Sequence, residues 1–194
     1  DVVRLLVHLD VQVTGRSAAG ADLARIFTFQ GWRVIRKNYI GELDEAAESL
    51  FAANRLRLGG LDAQLADLLA DEFGVTVVID DGDALGRNAQ RSYRPDTGVL
   101  YIARWLHPGQ RAFQLATQVA LLRHSDLIST IVATADQLSA EATEVARIGL
   151  ANYFAGALLL PYRIFLDAAE ELRYDIDQLA RRFEVGFETI CHRL

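Results

Sequence analysis

The stretch Arg111-Ala112-Phe113-Gln114-Leu115-Ala116-Thr117-Gln118-Val119-Ala120-Leu121-Leu122 leaves the rest of the chain little choice. It has the length of a helix and is apolar over most of its surface, so it reads as a helix that other elements must cover. Thr117 and Gln118 place hydrogen-bonding groups in its middle, and Thr117 and Leu121, one turn apart, share a face. Taken alone, such a stretch is plain core. The case for more comes from what flanks it.

The flanks are amphipathic helices and a small sheet. Residues 1–58 read as helical: Val2, Val3, Leu5, Leu6 and Leu9 suggest one apolar face, and residues 42–54 are rich in Ala, Leu and Glu with acids in the first turns. Gly59-Gly60 marks a boundary. Leu61, Leu65, Leu68, Leu69 and Phe73 then share one side of a helix closed by Gly74. The β-branched run Val75-Thr76-Val77-Val78-Ile79 predicts a strand. Residues 90–94 and 99–103 predict a hairpin across Pro95-Asp96-Thr97-Gly98. Residues 125–131 fit either period. A capping pattern, Ser139-Ala140-Glu141-Ala142, precedes a long helix that must stop at Pro161, which offers no N–H and clashes with the turn before it. Residues 165–172, 176–183 and a segment from Val185 predict three more helices. The order points to a mostly helical α+β fold with a small sheet, divided into an N-terminal helical region, 1–58, and a second domain, 59–194.

Composition narrows the function. With 20 cationic and 26 anionic residues the net charge is −6, so without a basic tract the chain is a poor holder of DNA phosphates by itself. The basic residues are nearly all Arg, and Lys37 is the one lysine. The single cysteine, Cys191, excludes an internal disulfide and makes a reducing cytoplasm the expected location. No run reaches the roughly 18 apolar residues of a membrane span. The chain starts at Asp1 and contains no Met, so a fragment or processed form is expected.

Three blocks carry a resemblance. Ala151-Asn152-Tyr153-Phe154-Ala155-Gly156-Ala157-Leu158-Leu159-Leu160-Pro161 resembles the Ala-Asn-x-Phe-Ala-x-x-Leu-Leu-x-Pro signature of ImmA/IrrE zinc-peptidase-like domains. Leu179-Ala180-Arg181-Arg182-Phe183-Glu184-Val185 is similar to that family's Leu-Ala-x-x-Phe-x-Val, and residues 111–116 to the Arg-x-Phe-x-Leu-Ala that precedes its His-Glu-x-x-His. The segment 38–48 and the ending Cys191-His192-Arg193-Leu194 resemble the short-chain fatty acyl transcriptional regulators of actinobacteria, the PrpR/RamB-like group. The resemblance places the metal motif at Thr117, Gln118 and Leu121, where no zinc ligand stands. The family's third ligand would fall within Ile148-Gly149-Leu150, where there is no acid, and Glu144 lies about two turns earlier. A degenerate, non-catalytic domain without metal is the expectation.

What the second resemblance implies is a larger regulator. It would have an N-terminal helix-turn-helix for DNA and a Cys-rich C-terminal part with room for an Fe–S cluster, both outside this chain. No cofactor is expected in the chain itself. The ligand would be a short-chain acyl-CoA, propionyl-CoA foremost, controlling genes of propionate and acetate use such as the methylcitrate cycle, in a cytoplasmic homo-oligomer.

A site for acyl-CoA needs cations for the phosphates and a narrow apolar slot for the tail. Arg33, Arg36 and Lys37, with Tyr39 as a stacking surface, are the candidate head-group site; otherwise they form a solvated face paired with Glu42 and Asp44. Arg104 and Trp105 stand at the presumed cleft mouth, unless Trp105 is a core anchor with Arg104 snorkelling past it. Arg163, just past Pro161, is a further candidate for the mouth. Thr117, Gln118, Leu121 and Tyr153 are the candidate lining of the acyl end, and Gly149 and Gly156 either leave a slot or mark close helix packing. Cys191 beside His192 reads as structural. A ligand-free dimerisation module, using the Val2–Leu9 face, is the competing reading, and a metallopeptidase with other ligands a remote third.

Overall fold

A computed structural model describes residues 39–81, 84–85, 89–134 and 140–194. The face Val2–Leu9, the basic residues Arg33, Arg36 and Lys37, and the cap at Ser139 lie outside the described residues. Helix α1 spans Gly41–Ala53 and α2 spans Leu61–Phe73. Strands β1 (Thr76–Asp80), β2 (Arg91–Arg94) and β3 (Val99–Ala103) follow, then α3 (Pro108–Arg123), α4 (Ser125–Ala133) and α5 (Ala140–Leu159). Three short helices end the chain: α6 (Tyr162–Glu171), α7 (Ile176–Phe183) and α8 (Phe187–Arg193). The mostly helical α+β expectation is met, and the ambiguous segment from Ser125 is helix. Among the described residues, no single helix is long and apolar enough to cross a membrane.

Local chemistry sets most of the boundaries. Gly74 closes α2 at φ 64°, a left-handed cap that glycine adopts without a Cβ penalty, and its N–H returns to the carbonyl of Ala70. Gly98 ends the hairpin turn at φ 66°, where a Cβ would come within 3.3 Å of the Gly74 carbonyl oxygen. The Thr76 N–H reaches the Gly98 carbonyl at 2.8 Å, so the hairpin turn is tied to the end of α2. The sheet has the order β1-β3-β2, with β1 parallel and β2 antiparallel to the central β3. Leu100 and Ile102 of β3 are fully buried, whereas Val78 and Ile79 of the β-branched run are exposed on an edge strand.

Two compact units divide the chain. Residues Ile40–Asp126 and Ala151–Leu194 belong to one, and Leu127–Leu150 to the other. In the larger unit α2 packs on α3 through Leu61, Leu65, Leu68 and Leu69, all buried, and Arg111 of α3 holds Asp62 of α2 at 3.0 Å. Along the middle of α3 every residue from Leu115 to Ala120 is buried, which is the enclosure its composition demands. Phe165 and Phe183 meet edge-on, 5.5 Å apart, beneath α6 and α7. In the smaller unit Ile128, Ile131, Val132, Ala142 and Ala146 are buried, and Arg147 donates to the Ser129 hydroxyl.

Candidate functional site

The polar residues of α3 meet the start of β2 and the second half of α5. Gln118, 4% exposed, accepts a hydrogen bond from Arg91 Nη1 at 3.0 Å. One turn earlier, the Gln114 side-chain amide donates to Gln90 Oε1 at 2.7 Å. Thr117, 1% exposed, donates its hydroxyl to its own helix at Phe113 O, 2.8 Å away, and stands 3.3 Å from Asn152 Oδ1 on α5. Leu121 continues this face half-buried. Burial lowers the Arg91 guanidinium to about 10, still charged at neutral pH, and among the described residues no carboxylate pairs with it. The face therefore presents amides, a hydroxyl and one cation.

These residues do not fit zinc. A catalytic zinc takes three protein ligands from His, Cys and carboxylates, and Thr117, Gln118 and Leu121 supply none. Among the described residues no group of three or more His, Cys, Asp and Glu is placed to hold a metal ion. His107 caps the start of α3 at the surface. His124 follows its end, its ring 4.8 Å from Phe154; burial, with Arg123 adding repulsion, lowers its pKa.

The other sequence-derived candidates fall elsewhere. Tyr39 is exposed. Arg104 pairs with Asp81 at the surface, and Trp105 is 58% exposed, so the alternative of a core anchor fails; Leu106 takes the buried place. Arg163 is exposed in the first turn of α6. Tyr153 belongs to a second cluster. Its hydroxyl donates to Asp44 Oδ2 and accepts from the Ile40 N–H at 3.0 Å, and burial followed by the Asp44 hydrogen bond raises its pKa. Asp44, read from sequence as a surface acid open to the basic segment, is buried against Arg193 at 2.6 Å. Arg193 Nε also donates to the Leu160 carbonyl at 3.0 Å, and its guanidinium lies over Tyr162. Near Gly156 a Cβ would meet nothing within 4 Å, so this glycine does not mark close packing.

A model of the peptidase M78 family, the IrrE N-terminal-like domain, matches residues 69–194. The chain belongs to the IrrE N-terminal-like domain family. This IrrE-like chain is 67% identical over 159 residues to the HTH-type transcriptional regulator PrpR of Mycobacterium tuberculosis, covering 82% of the chain and 32% of the relative. It is 43% identical over 159 residues to the HTH-type transcriptional regulator RamB of the same species, covering 82% and 33%. A propionyl-CoA carboxylase regulator of Cereibacter sphaeroides is 43% identical over 157 residues, covering 81% and 32%. A solved Mycobacterium tuberculosis transcriptional regulator matches with a TM-score of 0.83 and 63% identity, over 87% of this chain and 51% of that one. The chain thus spans about a third of the length of the curated relatives it matches. The resemblance to both the IrrE-like domain and the PrpR/RamB-like regulators is borne out.

Sequence reasoning missed Arg91, Asn152, Asp44 and Arg193. Arg91 opens the predicted hairpin strand, and Asn152 lies in the signature block, so both carried a signal of place but none of partner. Asp44 looked like an ordinary first-turn acid.

Proposed function

We propose that this IrrE-like domain is the non-catalytic ligand-sensing part of a bacterial transcriptional regulator, and that it binds a short-chain acyl-CoA, propionyl-CoA foremost. One observation carries the reading: the helix where a peptidase holds zinc is kept as the buried centre of the fold, while its three motif positions are Thr117, Gln118 and Leu121. With no ligand set for a metal, such a site holds cargo rather than activating water. The names of the relatives support the direction, since two are HTH-type transcriptional regulators and one is a propionyl-CoA carboxylase regulator.

In this reading Arg33, Arg36, Lys37 and Tyr39 take the CoA head, Arg104, Trp105 and Arg163 flank the entrance, and Thr117, Gln118, Leu121 and Tyr153 face the acyl end. DNA is contacted through a helix-turn-helix outside this chain, in a cytoplasmic homo-oligomer. Ligand binding shifts the regulator only if two conformations bind it with different affinity. Calorimetric titration with propionyl-CoA tests the core of it. Saturable heat with a raised unfolding temperature is expected, and neither at millimolar ligand would sink the reading. Replacing Arg33, Arg36 and Lys37 together by Ala should weaken CoA itself.

A further inference from the structure

Gln118 is a side chain whose orientation its neighbours dictate. A guanidinium can only donate, so the Gln118 atom facing Arg91 Nη1 at 3.0 Å must be the amide oxygen. The amide nitrogen is then the branch not facing Arg91, and no acceptor for it stands among the described residues. Thr117 turns its hydroxyl to its own helix, donating to Phe113 O at 2.8 Å, rather than pairing with the Gln118 amide. Arg91 itself is held in place with no described carboxylate to draw it off. Its burial lowers its pKa to about 10, which leaves the cation intact at neutral pH. Open space lies beside Gly156, one turn along α5 from the Asn152 that touches Thr117.

We propose that Gln118 reads the thioester carbonyl of the acyl ligand through its amide N–H, with Arg91 as the positioning residue that keeps that donor turned outward. This rests on the acyl-CoA reading above. A glutamate at the same position offers only acceptors and would close onto Arg91 as an ion pair. Exchanging acid for amide therefore does two things at once: it removes the base that would activate water, and it supplies the one donor a carbonyl oxygen needs. A site built around a pinned donor rejects a ligand without the matching acceptor, because the donor is then buried unpaired.

The probe pair is propionyl-CoA and S-propyl-CoA, a thioether that keeps the chain and lacks the carbonyl, with CoA as the reference. Wild-type protein should bind the thioester about ten-fold tighter than the thioether, the worth of one well-placed hydrogen bond. Gln118→Glu and Arg91→Met should erase that ratio, read as thioester against thioether within each variant. Arg91→Lys, which still donates to the amide oxygen, should restore part of it. A thermal unfolding scan of each variant separates loss of fold from loss of reading, and Gln118→Glu with Arg91→Lys carries the test if Arg91→Met does not fold. Equal wild-type affinity for thioester and thioether, with CoA still bound, would overturn the role of Gln118 alone. So would a ratio that survives both Gln118→Glu and Arg91→Met. No binding of any of the three by wild type would remove the acyl-CoA reading and this assignment with it.

Discussion

Two polar clusters occupy the larger unit, and they are built on opposite plans. Around Asp44 each charge meets its complement: the carboxylate faces Arg193 at 2.6 Å and takes the Tyr153 hydroxyl, and the guanidinium also satisfies the Leu160 carbonyl. Around Gln118 the groups are mostly neutral, the cation Arg91 is spent on an amide oxygen, and the two N–H groups of that amide have no acceptor among the described residues. The first cluster joins α1, α5 and α8, so it holds the fold together. The second ties the start of a strand to a helix through Arg91 and Gln90, and its amide donors are what the proposed recognition would use.

Breaking the Asp44 cluster should produce the largest effect. Arg193→Met leaves the Asp44 carboxylate buried without a counter-charge and should cost about 3–5 kcal/mol in chemical denaturation. Asp44→Leu combined with Arg193→Met should recover most of that loss, because neither charge is then stranded. If the single change costs under about 1 kcal/mol, the contrast between the clusters is wrong. In the Gln118 cluster, Thr117→Val removes a hydroxyl bonded mainly to its own helix and should cost only about 1 kcal/mol by the same measurement. Gly156→Ala should add roughly 0.5–1 kcal/mol, since a Cβ there meets nothing and alanine is the better helix former.

The smallest effect concerns pH. His124 has its pKa lowered from 6.5 by burial and by Arg123, so the unfolded chain takes up a proton more readily than the folded one. Its contribution is therefore constant above pH 6.5 and is lost as the pH falls below that value and through the lower pKa of the folded state. Unfolding temperatures measured from pH 8 to pH 5 should show the decline, and His124→Phe should flatten it. An unchanged slope in that variant would assign the decline to other groups.

Much of the fold was legible residue by residue. Gly74 predicted where α2 ends, Pro161 where α5 must stop, and Pro95-Asp96-Thr97-Gly98 where the hairpin turns, because each acts through its own backbone or a neighbour's. Residues 125–131 were undecided, since a short apolar run serves either period until packing chooses. Trp105 had two readings, cleft mouth or core anchor, and packing ruled out the second: Leu106 beside it is buried and Trp105 is exposed. At the site, the motif positions Thr117, Gln118 and Leu121 could be found by alignment of flanking residues, but nothing local pointed to Arg91.

From the chain of letters alone follow the helix limits, the hairpin, the buried character of α3, the missing zinc ligands and the family, all properties of residues close together in the sequence. Only the tertiary structure decided which polar group meets which. Arg91 and Gln118 lie 27 positions apart, and Asp44 and Tyr153 lie 109 apart. A hydrogen bond depends on distance in space, and no spacing rule along the backbone reaches that far.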